Sequence, residues 1–89
     1  MMYPYMILAD ETEIVHSHNI VEKGVQCLEV HFERPTEDGF DIERCLLPTY
    51  TWLKREGFTD KEIEKFNGFL HSNAHLLYKY ASSGGINIT

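Results

Sequence analysis

Two cysteines in 89 residues, Cys27 and Cys45, are too few and too far apart for a disulfide framework or a CxxC zinc knuckle. Free thiols in a reducing compartment are the expectation. Basic residues are also scarce: 8 Lys and Arg stand against 14 Asp and Glu, leaving a formal charge of -6. That balance withholds the basic stripe with which nucleic-acid binders displace counterions from phosphates, so no nucleic-acid partner is expected. No run approaches the ~18 apolar residues of a membrane span. The first ten residues carry no basic stretch of the kind that opens a secretion signal, and they read as a first strand in a cytoplasmic protein. GxGxxG, GxxxxGK(S/T) and GxSxG are all missing, and Gly84-Gly85 reads as a helix stop rather than a phosphate cradle.

What is present is a compact set of apolar residues. An apolar fraction of 43% with 12% aromatics is enough hydrophobic surface to offset chain entropy, which excludes disorder. The length leaves room for one core, so residues 1–89 form a single domain, with a β-meander over 1–47, a helical half over 48–83 and a tail over 84–89. A chain this short hides only about 60 to 65% of the surface it exposes when unfolded, and spare apolar surface favours a partner.

Short runs of Val, Ile, Phe and Tyr before Pro48 are separated by turn residues at Asp10-Glu11, Glu22-Lys23-Gly24 and Pro35 to Gly39. They predict four antiparallel strands over roughly 3 to 9, 12 to 21, 25 to 34 and 39 to 47. The third alternates most cleanly, with Leu28, Val30 and Phe32 opposed to Glu29, His31 and Glu33. In the fourth, Phe40, Ile42 and Leu46 are read as inward and Asp41 and Glu43 as outward, which leaves Arg44 on the apolar side. A two-residue Lys23-Gly24 turn sets Glu22 against Val25, Val15 against Phe32 and His16 against His31.

After Pro48 the period changes. Thr49 to Gly57 predicts a short helix through Tyr50, Trp52 and Leu53. Thr59-Asp60-Lys61-Glu62 is a capping box, and Ile63, Phe66, Leu70, Ala74, Leu77 and Ala81 follow it as one stripe of a second helix. Gly68 within that helix suggests a kink or a close backbone contact. Four strands make a sheet nearly 20 Å wide and one helix covers about 10 to 12 Å, so both helices are assigned to one face. The expectation is a two-layer α+β fold, a four-stranded antiparallel meander with two C-terminal helices on one face.

That leaves one sheet face open, and it is the candidate partner surface: Ile14, His16, His18, Ile20, Glu29, His31, Glu33, Asp41 and Glu43. His16, His18, His31 and Glu29 on that face would suit zinc or another divalent transition metal, whereas a solvated polar face is the plainer reading. His71 and His75 have ligand spacing, but Ser72 stands where a zincin motif needs Glu, so packing contacts are expected of them. Cys45 diagonal to His31 is the one nucleophile and base combination, without a third orienting residue. The aromatics of the helical half, Trp52, Phe58, Phe66, Phe69, Tyr78 and Tyr80, are expected in the core.

The ordered set Tyr5 to Asp10, Val30 to Pro35, Asp38 to Asp41, Leu47 to Tyr50 and Asn73 to Leu77 resembles small, free-standing bacterial proteins of about this length that form a domain of unknown function. That resemblance covers most of the chain and implies no activity or site residues. Residues 57 to 77 also resemble short domains encoded beside small regulators and toxin-antitoxin pairs, without their histidine signature; this implies protein binding. The function expected is therefore a non-enzymatic interaction or assembly module, homodimeric or bound to another protein. The alternative is a transition-metal-binding or small metal-dependent hydrolytic protein centred on the histidine and carboxylate cluster.

Overall fold

A computed structural model describes residues 2–83; the expected tail over 84–89 lies outside them. The fold is α+β: an antiparallel sheet of six strands with one C-terminal helix. The strands are β1 (Tyr3–Ile7), β2 (Glu13–His16), β3 (Ile20–Glu22), β4 (Val25–Thr36), β5 (Gly39–Leu47) and β6 (Thr51–Glu56), and the helix is α1 (Asp60–Ser83). The sheet order is β1-β2-β4-β5-β6, with β3 paired to the other end of β4.

Two differences from the expected four strands and two helices have local causes. The expected second strand is broken into β2 and β3 by one extra residue. Glu22 does face Val25 across the Lys23-Gly24 turn, but His16 faces Val30 and Val15 faces His31. The slip occurs at Ser17, whose hydroxyl accepts from the Glu29 amide at 3.0 Å and donates to the His18 carbonyl at 2.8 Å. A side chain has replaced a ladder partner, and the strand bulges there.

The expected first helix is strand β6. The Leu47–Pro48 bond is cis and Tyr50 has φ 56°, so the chain reverses and runs back along β5. Six residues are too few for a helical period to be told from a strand, and here Trp52 turns inward opposite Cys45 while Thr51 faces Leu46 on the other side.

The second strand pair to shift is β4 with β5. The Glu37-Asp38 turn sets Thr36 against Gly39, which places Glu43 opposite Phe32, Cys45 opposite Val30 and Leu47 opposite Leu28. Residues directly opposite share a face, so the inward set of β5 is Glu43, Cys45 and Leu47, not Phe40, Ile42 and Leu46. Phe40 is 64% exposed at the hairpin end.

One helix then covers the middle of the inner face. Ile63, Phe66, Leu70, Leu77 and Ala81 of α1 form a buried cluster with Ile14, Leu28, Val30, Phe32, Cys45 and Leu47. The Phe32 and Phe66 rings stack at 4.3 Å between centroids. Aromatics from the sheet margins widen the layer. Tyr5 of β1 donates to Asn73 Oδ1 at 2.7 Å, and Trp52 Nε1 of β6 donates to Asn67 Oδ1 at 3.2 Å, pinning the helix from both sides.

The helix start is fixed by the predicted capping box: the Glu62 amide donates to Thr59 Oγ1 at 3.2 Å and the Thr59 amide to Glu62 Oε1 at 3.0 Å. Glu62 is also bound by Arg34, whose guanidinium reaches Glu62 at 2.5 Å, Asp41 at 2.8 Å and Asp10 at 3.5 Å and lies over the Phe58 ring. Backbone and Arg34 hydrogen bonds hold the Glu62 carboxyl below its ordinary range.

Gly57, at φ +91°, is required here: a Cβ would collide with the Asp41 carboxyl that Arg34 grips. Gly68 is not, since a Cβ there meets nothing within 4 Å and the helix runs through without a close neighbour. Gly57→Ala is expected to lower stability by about 2 kcal/mol or more, and Gly68→Ala to raise it by roughly 0.5 to 1 kcal/mol. Urea unfolding midpoints compared with the wild type check both.

Candidate functional surface

The pairing register sorts the expected site residues onto two faces. Glu29, His31 and Glu33 stand on the outer side of β4, as expected. Ile14 and His16 do not: the Ser17 bulge turns them inward, opposite Phe32 and Val30, and both are fully buried. Glu43 is inward and fully buried as well. Asp41 is opposite Arg34 and is held by it. His18 is exposed at the bulge and bonded to the Tyr3 hydroxyl, and Ile20 is 38% exposed opposite Cys27.

The expected metal set is therefore divided. His31 and Glu29 meet at 3.2 Å on the outer face, whereas His16 lies beneath the sheet. Its Nδ1–H donates to the Ser17 carbonyl at 2.9 Å, and its buried Nε2 has no partner among the described residues. Among the described residues no group of three or more His, Cys, Asp or Glu is placed to hold a metal ion.

The Cys45 and His31 combination is also undone. Cys45 points to the helix side, fully buried, and burial pushes its thiol up to about 12. His71 makes a packing contact, stacked on Tyr50 at 4.0 Å.

The open face has an order that the sequence reading missed. Following the register across the strands gives one row of Pro4, Val15, His31, Arg44 and Lys54. The next row, two residues along β2, β4, β5 and β6 and three along the bulged β1, is Ile7, Glu13, Glu33, Ile42 and Glu56. The first row carries the basic side chains and the second the acidic ones, with apolar Val15 and Ile42 within them. A third row sets Glu29 beside Leu46 and Thr51.

Val15 is 8% exposed and the His31 side chain 13%, so the middle of this face is already largely shielded from solvent within one copy. The Arg44 Nε is buried with no hydrogen-bond partner among the described residues. The signals for these rows were present in the alternation of β5 and β6. They were obscured because Ile42-Leu46 and Cys45-Leu47 are equally apolar sets.

Glu43 is the buried group with the largest consequence. Neither carboxyl oxygen has a hydrogen-bond partner at ordinary geometry among the described residues. Burial pushes the group up to about 7, against the pull of the Arg55 guanidinium and, more weakly, the Glu56 amide.

No protein-family model, curated protein or solved structure matches this chain. The class that the coordinates define is an α+β fold with its antiparallel sheet covered on one side by a single helix. No described helix is long and apolar enough to cross a membrane.

Because the folded Glu43 carboxyl titrates above its unfolded value, its contribution is complete below about pH 4.5 and is lost as pH rises through about 7. The loss is on the order of 3 kcal/mol for a rise from 4.5 to about 7. Thermal unfolding of the wild type between pH 5 and pH 8 should show that decline, and Glu43→Gln should flatten it. An equal slope in both proteins counts against a buried, neutral Glu43.

Proposed function

We propose that the protein is a non-enzymatic interaction module that works as a homodimer. The observation that supports this is the one-sided sheet: α1 covers the inner face, while the outer face presents partly buried apolar side chains between ordered charges. A mixed, half-buried surface of this kind is typical of protein interfaces. The residues that ordinary catalysis would draw on are committed elsewhere. Cys45 is buried with a raised thiol, His16 is under the helix, and Asp41 is bound to Arg34.

The working residues of the module are Val15, Glu29, His31, Glu33, Ile42, Arg44, Leu46, Lys54 and Glu56. The charges on this face make association sensitive to ionic strength. Sedimentation velocity over rising concentration should show a dimer that weakens as salt is raised from about 0.05 to 0.5 M. A strict monomer at all concentrations, with no partner recovered by affinity capture, defeats the reading.

A further inference from the structure

We propose that the outer sheet face binds the same face of a second copy, through a two-fold axis lying across the strands midway between the basic and acidic rows. The proposal rests on the interaction-module reading above and adds the surface, the occupant and the pairing.

The geometry is set by the register. Same-face neighbours on one strand are about 6.8 Å apart, so the two rows form parallel stripes at that separation. Rotation about an axis between them turns the face over and exchanges the stripes while keeping each strand over its own counterpart. An isologous contact of this type pairs residue i with j and j with i. Glu33 of one copy then lies over the partner's His31, Glu56 over the partner's Lys54, and Glu13 over the partner's Val15.

Arg44 lies over the partner's Ile42, with the partner's Glu33 and Glu56 on the two adjoining strands. This gives the Arg44 guanidinium carboxylates on both sides. Within one copy it is flanked by His31 and Lys54 and has an unpartnered, buried Nε among the described residues. The single-copy ion pairs on this face, His31 with Glu29 and Lys54 with Glu56, leave Glu33 and Arg44 for the partner.

A different protein as occupant would have to supply the same alternation of charge at the same spacing, which this face already supplies to itself. The contact covers roughly 20 Å by 20 Å per copy, about 800 Å² in total for the pair, a size that belongs to weak, transient interfaces rather than standard ones. Association in the micromolar range follows, carried by charge as well as area.

The test uses charge-reversal variants that cannot pair with themselves but can pair with each other. One is Arg44→Glu combined with Lys54→Glu and the other is Glu33→Arg combined with Glu56→Arg. A second set, Lys54→Glu and Glu56→Lys, lies at an exposed margin where the fold tolerates change, and circular dichroism verifies folding in each. Each variant alone should lose self-association by at least about tenfold, because like charges then face one another.

An equimolar mixture of the two members of a set should return the dimer, as a heterodimer seen by native mass spectrometry. Rescue in the mixture cannot come from the internal Lys54 and Glu56 pair, which is broken in both members of that set. A wild-type dimer whose variants associate as well as it does, or whose mixtures stay monomeric, overturns the proposed face and leaves the homodimer reading standing. A wild type that is monomeric at about 1 mM overturns both the self-pairing and the homodimer, and assigns the face to another protein.

Discussion

A helix 10 to 12 Å across must cover the inner side of a sheet five strands wide, and most of the other arrangements in the molecule follow from that mismatch. The helix cannot do it alone, so the sheet's margins contribute. Tyr5 from one edge and Trp52 from the other reach inward and anchor on Asn73 and Asn67, two positions nearly two turns apart on α1. Phe58, Phe69 and Tyr78 fill the remaining gaps. The aromatic content that looked sufficient only for a small core thus takes the place of a second helix.

The same arrangement concentrates polar cost under the helix. Arg34 is well supplied, joined to three carboxylates and an aromatic ring where α1, β5 and the β1-β2 connection converge. Glu43 and His16 are not, and each leaves buried side-chain atoms without a partner among the described residues. For Glu43 the consequence is a proton retained near neutrality. The single-sided cover therefore has an electrostatic signature as well as a geometric one.

Much of this was legible from residue order. The α+β class, the capping box, the long helix, the fourth strand's limits and the outward direction of Glu29, His31 and Glu33 all follow from period and turn chemistry. Three things were not. The Ser17 bulge depends on a hydroxyl competing with the backbone, which no pattern of apolar residues records. The parity of β5 was ambiguous because a buried glutamate occupies a core position. Strand β6 was too short to separate from a helix, and with it went Lys54 and Glu56, so the charge rows were invisible until the register was known.

The order of the strands carries one last consequence. Apart from the helix, pairing joins elements adjacent along the chain, and even β2 reaches β4 only across the small β3 hairpin. Contacts of that kind close short loops, so relative contact order in the sheet is low and its hairpins can form without a long search. The slow event is left to the return of α1, whose Asn73 must find Tyr5 across 68 residues. A meander that forms before its cover arrives exposes the apolar inner face for that interval, and the docking of α1 is the step that removes that surface from water.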